Sequence, residues 1–155
     1  MDAALIWDQV KADIALSGGD LLADNGLATA VIISLCSDAR AEFSDELPAG
    51  VTERRGWWGG DKDFGSKLWL LTREKTTART AARAREYVQK ALQWLIDDGI
   101  AQSVEVTAEI LNPYTLAVSA SISRGSNKKY DYLWRSMAST DQSTYVASLK
   151  IPLNG

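Results

Sequence analysis

The chain has 155 residues, a length that suits one domain, and its 46% hydrophobic and 24% charged content is that of an ordinary soluble globular protein. A net charge of −3 gives no general attraction to nucleic acid. The chain has no His and a single Cys, which excludes Ser-His-Asp and Cys-His catalysis and leaves almost no route to a structural zinc site, so no metal or cofactor is expected.

Met1-Asp2 opens without a basic segment or a long apolar stretch, so no secretory signal is expected. Apolar runs such as residues 30–33 are far too short to span a bilayer, and a reducing cytoplasm is the expected place of folding. Residues 13–16 suit a short strand, followed by a turn at Ser17-Gly18-Gly19-Asp20. Asp24-Asn25-Gly26 offers a second turn and cap residues. After it, Leu27, Ala28, Val31, Ile32, Leu35 and Cys36 fall on one helical face. The β-branched run Val31-Ile32-Ile33 also suits a buried strand, but helix is the reading adopted. Cys36 is expected to be a buried small hydrophobe, not a nucleophile.

Residues 38–66 follow as a long irregular region, and loops of that length are usually functional or mobile. Its most informative part is Glu53-Arg54-Arg55-Gly56-Trp57-Trp58-Gly59-Gly60-Asp61, running on to Phe64-Gly65-Ser66-Lys67-Leu68-Trp69. The apolar residues there repeat at neither the helical nor the strand period. Gly permits tight turns, while Trp and Arg are the planar anchors that interfaces favour. The segment reads as a shaped loop built to hold or be held. It does not match a phosphate-binding loop, because Gly65-Ser66-Lys67 is in the wrong order.

A short helical turn is predicted over residues 66–71 and a long helix over about 76–98. Ala81, Ala84, Val88, Ala91, Leu92, Leu95 and Ile96 form its apolar stripe, Thr76 or Thr77 can cap it, and Gly99 suits the left-handed stop. Arg79, Arg83 and Arg85 load its first half, with Arg73 and Lys75 just ahead, and Asp97-Asp98 close it. The macrodipole prefers the reverse, at about 0.3–1 kcal/mol per misplaced charge. A solvated face relieved by Arg83–Glu86 pairing, neutralisation by folding neighbours, and an acidic partner surface are the three explanations weighed.

Two alternating strands follow. Val104, Val106, Ala108 and Ile110 share one face, as do Leu116, Val118, Ala120 and Ile122, with Asn112-Pro113-Tyr114 between them as the loop of an antiparallel hairpin. Tyr130, Tyr132 and Trp134 alternate as if in a third strand. Residues 136–155 are Ser/Thr-rich and weakly periodic, and are read as a tail that orders on a partner. The expected fold is therefore α/β (α+β): a single compact domain over residues 1–135, helices on one face of a mostly antiparallel sheet, and an extension over 136–155.

Two functional alternatives arise from the residues. Paired carboxylates can hydrolyse glycosides, with Glu53 or Asp61 as candidates in a peptidoglycan glycosidase. Trp57-Trp58 could instead stack on sugars in a carbohydrate-binding module. Trp69 and Trp94 are most simply core, and Trp134 sheet packing.

Glu53-Arg54-Arg55-Gly56-Trp57-Trp58-Gly59, with Gly65-Ser66-Lys67-Leu68-Trp69-Leu70-Leu71 and Arg73-Glu74-Lys75, resembles the signature of a small baseplate protein of Mu-like contractile-tailed phages and prophages. Ala91-Leu92-Gln93-Trp94-Leu95-Ile96-Asp97-Asp98-Gly99, Gly19-Asp20-Leu21 and Gly26-Leu27-Ala28-Thr29-Ala30-Val31 extend the likeness over roughly residues 10–135. The resemblance implies a structural, non-enzymatic subunit similar to the small wedge subunit of larger contractile tails. It would sit in six copies around the hub, bind wedge and hub proteins and touch the first sheath ring. It would contact neither nucleic acid nor membrane, and would move from the host bacterial cytoplasm into the tail baseplate. Carried over by position, Glu53, Arg54, Arg55, Trp57 and Trp58 would shape the loop that meets the wedge, with Arg73 and Lys75 beside it. Arg79 and Arg83 add a basic helix face to this expected partner-binding set.

Overall fold

The computed structural model describes residues 2–153 except 4, 9–10, 15, 18–19, 22, 25, 57–58, 60–62, 131–133 and 135–142; over residues 2–24 only the course of the backbone is described. That first stretch holds six short strands: β1 (Asp2–Ala3), β2 (Leu5–Asp8), β3 (Lys11–Ile14), β4 (Leu16–Ser17), β5 (Asp20–Leu21) and β6 (Ala23–Asp24). They pair antiparallel as β1 with β6, β2 with β3 and β4 with β5. Ser17 and Asp20 stand opposite each other, at the ends of the expected turn, whose Gly18 and Gly19 lie outside the described residues.

Helix α1 (Leu27–Cys36) forms where helix was chosen over strand. Leu27, Val31 and Ile32 are buried. Thr29 and Ser34 are buried with them. The Ser34 hydroxyl donates to the Ala30 carbonyl at 2.8 Å and accepts the Trp94 indole N–H at 3.1 Å. Both ends of a buried hydroxyl are thus satisfied, and the second bond ties α1 to the following helical layer.

The expected long helix is divided. α2 (Ala78–Ala91) ends at Leu92 and α3 (Gln93–Asp97) resumes beyond it. Leu92 has φ −100° and ψ 1°, outside helical values, and is fully buried. The bend lets both segments keep apolar residues in the core: Ala84, Val88 and Ala91 from α2, Leu95 from α3. Thr77 is the N-cap, its Oγ1 accepting the Thr80 N–H at 3.2 Å. Gly99, at φ +73°, supplies the expected left-handed stop, with its N–H on the Ile96 carbonyl at 3.0 Å.

The sheet has the order β7-β8-β9, all antiparallel, with β7 (Ala101–Asn112), β8 (Thr115–Arg124) and β9 (Thr144–Pro152). The hairpin β7–β8 follows the expected alternation: Val104, Val106, Leu116, Val118, Ala120 and Ile122 are buried, while Glu105, Thr107 and Glu109 are exposed. Burying each such aliphatic side chain stabilises the fold by about 1.5–3 kcal/mol. The core lies between this face and the helices, joining Leu27, Val31, Leu71, Val88, Leu92 and Leu95 to the sheet. The result is a mixed α/β domain with helices on one face of an antiparallel sheet, as expected.

The third strand is not where the alternation of Tyr130, Tyr132 and Trp134 placed it. Lys128–Tyr130 is a 3-10 turn, and Trp134 is helical in conformation. Trp134 is a core residue, 1% exposed, whose indole donates to the Ile100 carbonyl at 3.2 Å. The third strand is β9, inside the segment expected to be a partner-dependent tail. Ile151 and Leu153 are buried and Tyr145, Ala147 and Leu149 pack against the core, so this stretch finds its apolar contacts within the chain. Cys36 also departs from expectation: it is exposed at the end of α1. Partial burial of its thiol and the nearby Asp38 push its pKa up to about 11, which keeps the sulfur protonated and poorly nucleophilic.

Candidate docking site

The loop of residues 38–66 is closed at its mouth by backbone bonds. Asp38 and Ser66 form a parallel bridge; the Ser66 N–H donates to Ser37 at 2.8 Å and the Ala39 N–H to Ser66 at 2.9 Å. The Ser66 hydroxyl adds a bond to the Leu35 carbonyl at 2.7 Å. A second latch lies further out, where the Ala41 N–H donates to the Arg54 carbonyl at 2.8 Å and the Arg54 guanidinium donates to the Glu42 carbonyl. Among the described residues the loop has no helix or strand, as its lack of period implied.

Beneath it is a small apolar cluster of Ala41, Trp69 and Leu70, with Leu47, Val51 and Tyr87 against it. Trp69 belongs to the 3-10 turn Leu68–Leu71, the helical turn expected there. Its indole N–H donates to the Ala39 carbonyl at 2.8 Å, so the ring supports the loop from below. Arg55 covers the ring from above: its guanidinium lies 4.7 Å from the ring centroid and pairs with Asp38 at 2.6 Å. Arg55 holds φ +49°, an uncommon conformation for a residue with a side chain, which these contacts offset.

The predicted residues divide by what they touch. Arg54, Arg55 and Arg73 turn back onto the loop, Arg73 donating to the Ala49 carbonyl. Arg83 pairs with Glu74, not Glu86, and donates to the Tyr87 hydroxyl at 3.0 Å; burial would lower its pKa, but the Tyr87 and Glu74 bonds outweigh that and raise it. The side chains of Glu53, Lys75 and Arg79 are exposed and make no ion pair or hydrogen bond with other described residues. Trp57, Trp58 and Asp61 lie outside the described residues.

A groove of about 600 Å³ opens between the loop and α2, walled by Ala39, Ala41, Tyr87 and Ala91, with Arg40, Lys67 and Lys90 and the acids Glu42 and Asp63 in its lining. Phe43 stands on its edge at 93% exposure, with the Arg54 guanidinium 4.9 Å over its ring. The turn that presents it is fixed by reciprocal bonds: the Glu42 N–H to Asp45 Oδ2 at 2.8 Å and the Asp45 N–H to the Glu42 carbonyl at 3.1 Å. Lys67 Nζ secures this turn from below, 2.6 Å from Asp45 and 3.1 Å from Glu42. The Lys67 bond holds the Glu42 carboxyl below its usual pKa; at Asp45 burial pushes upward but the Lys67 bond and its charge prevail and lower it. Lys67 itself is raised, because the two carboxylates outweigh its burial.

Sequence reasoning missed Glu42, Phe43, Asp45 and Lys67. Phe43 carried the only readable signal, a large apolar side chain among polar neighbours. Among the described residues no cluster of His, Cys, Asp or Glu suits a metal ion, and no helix is long and apolar enough to cross a membrane. What the surface offers is an aromatic knob beside a shallow apolar groove whose rim carries both signs of charge.

The phage protein GP46 family matches residues 27–129, a span that contains the whole loop, the groove and the β7–β8 hairpin. The chain is 49% identical over 114 residues to the baseplate protein gp46 of Escherichia phage Mu, covering 72% of this chain and 79% of that one. It is 41% identical over 111 residues to the Mu-like prophage FluMu protein gp46 of Haemophilus influenzae, covering 69% and 75%. No solved structure matches it. The braced Arg-Trp loop and the fold that carries it thus lie within a shared sequence pattern, and the chain belongs to the phage protein GP46 family of Mu-like phages and prophages.

Proposed function

We propose that this chain is a structural, non-enzymatic subunit of a phage tail baseplate or a related contractile injection device. The observation that carries the reading is its 49% identity to a protein named as a baseplate protein, together with a family match that spans the entire loop. In this role Arg54, Arg55 and Arg73 preorganise the loop, Arg83 braces Glu74 and Tyr87 beside it, and Glu53, Trp57, Trp58, Lys75 and Arg79 contribute to binding wedge and hub proteins. Preorganisation matters because a loop ordered before contact spends less binding energy on its own ordering. Six copies around a hub would turn modest contacts into firm assembly by avidity and fix the ring on which the first sheath subunits settle. Assembly would take place in the host cytoplasm, and the finished protein would reside in the virion tail.

Glu53, the described carboxylate of the glycosidase alternative, is exposed on the loop and lies outside the groove lining, whereas Glu42, a carboxylate of that lining, is held by Lys67 in an ion pair. The test is electron microscopy of particles made without this chain. Loss of sheathed tails, restored by supplying the protein, is expected; normal sheathed tails would overturn the proposal.

A further inference from the structure

The β7–β8 hairpin ends in an apolar tip that the described residues leave uncovered. Ile110 is 47% exposed, Leu111 49% and Tyr114 65%. Three bonds hold this tip. The Tyr114 N–H donates to Asn112 Oδ1 at 2.9 Å, the Thr76 hydroxyl donates to the Pro113 carbonyl at 2.6 Å, and the Leu153 N–H donates to the Tyr114 carbonyl at 2.8 Å. The tip is therefore a fixed platform joined to β9 and to the start of α2.

The Thr76 bond sets cations beside it. Lys75 precedes Thr76 and Arg79 lies in the first turn of α2, both with exposed side chains unpaired among the described residues. That turn contains no acidic residue, although its helix end favours negative charge. Glu109, on the opposite face of β7 from Ile110 by alternation, registers through Ala117 with Lys150, and Leu111 falls at the irregularity in register between Ile110 and Asn112. An apolar surface rimmed by unpaired cations is complementary to a segment that is itself apolar on one side and acidic at its border.

We propose that this tip, with Lys75 and Arg79, docks an acidic amphipathic segment of another tail protein. The proposal rests on the reading of the chain as a baseplate subunit and adds a second contact surface to it. A second copy of this chain is a poor occupant, since two-fold pairing of the tips would bring the cations together. The tip alone is smaller than the roughly 800 Å² per partner of a stable interface, so it acts jointly with the loop. The two are mechanically linked: residues 72–77 hold the loop through Arg73 and the tip through Thr76.

The test uses the full chain carrying Tyr114→p-benzoylphenylalanine, supplied in place of the natural protein to assembling particles, which are then purified, irradiated and digested for mass spectrometry. The expected result is an adduct to another tail protein, at an apolar residue flanked by Asp or Glu. Adding Lys75→Glu and Arg79→Glu should lower incorporation and should reduce the adduct per incorporated copy of the chain at least fivefold; an unchanged adduct per copy would overturn the role of the two cations. Particles that contain the chain but give no adduct, or an adduct only to a second copy or to nucleic acid, would overturn the tip proposal and leave the baseplate reading standing. Absence of the unmodified chain from purified particles would overturn the baseplate reading itself.

Discussion

Arg55 lies on the face of Trp69, its guanidinium 4.7 Å from the ring centroid, while the edge of the same indole donates to the Ala39 carbonyl at 2.8 Å. Loop and core are thereby clamped through one ring. Arg55→Ala should destabilise the protein by about 1–2 kcal/mol, the sum of an exposed cation–π contact and a surface ion pair. Arg55→Lys should recover part of that, because it keeps the charge near Asp38 and loses the planar stack. Urea denaturation of the three proteins checks the order; equal midpoints would mean that the clamp is energetically idle.

The loop mouth leaves no room at Gly65. Its φ is +98°, and a Cβ there would lie 2.6 Å from the Ser37 carbonyl oxygen and 2.9 Å from the Ala39 nitrogen, both backbone atoms. Gly65→Ala should cost about 2–4 kcal/mol, combining left-handed strain with overpacking. Thermal melting measures it, and a change within about 0.5 kcal/mol, the range of an ordinary surface substitution, would contradict the closed mouth.

The Lys67–Asp45–Glu42 cluster gives the turn that carries Phe43 a defined pH window. Glu42 and Asp45 titrate below their ordinary values of 4.5 and 3.8, so the stability they supply is present above those values and is lost as pH falls through the lowered ones. Lys67 titrates above 10.5, so its share is complete below that pH and is lost only as pH rises beyond it. The turn should stay ordered from about pH 5 to pH 10. Acid should open it below pH 4, read as faster hydrogen exchange at the Asp45 amide relative to the hairpin amides. Lys67→Met should shrink the difference between pH 7 and about pH 3, leaving only what Lys90 and the Glu42 amide supply; an undiminished difference would assign the acid response elsewhere.

Elements whose stabilising contacts are local or periodic were legible in the chain: the α1 helix, though of its expected face only Leu27, Val31 and Ile32 are buried, the Thr77 cap, the Gly99 stop and the β7–β8 alternation. The Leu92 bend was not, since the apolar stripe runs through it unbroken and only fitting two segments to a twisted sheet requires it. β9 does alternate inward, with Tyr145, Ala147, Leu149 and Ile151 on the core side, but Val146 at 57% exposure blurs the pattern. The site was legible as a loop, whereas its internal bracing depends on Asp38, Glu42 and Trp69, which lie far along the chain from the Arg residues they hold. Spacing cannot show that Arg55 faces inward while Arg79 faces solvent.

That contrast yields a paired prediction. Arg79→Glu should leave stability unchanged or raise it by about 0.3–1 kcal/mol, since it places an acid in the first turn of α2. Arg83→Glu should lower stability by about 1–3 kcal/mol, because it removes the bonds to Glu74 and Tyr87 and sets two carboxylates together. Incorporation into particles should fall for both, but only Arg79→Glu should do so with an unchanged melting temperature. If Arg79→Glu assembles normally, the basic helix face is ordinary solvated surface.

Removing residues 144–155 tests whether β9 belongs to the folding unit. β8 is the central strand, bonded to β9 from Thr115 through Ser123, and its removal would leave a bare ladder edge beside the buried positions of Ile151 and Leu153. Two such aliphatic side chains represent about 3–6 kcal/mol of burial, comparable with the whole net stability of a small domain. The exposed edge would then template pairing with other chains. The truncated protein should lose cooperative unfolding and elute as aggregates in size-exclusion chromatography. A monomer that melts at the full-length temperature would show that the first two strands and the helices suffice, and would return this segment to the role of an appendage.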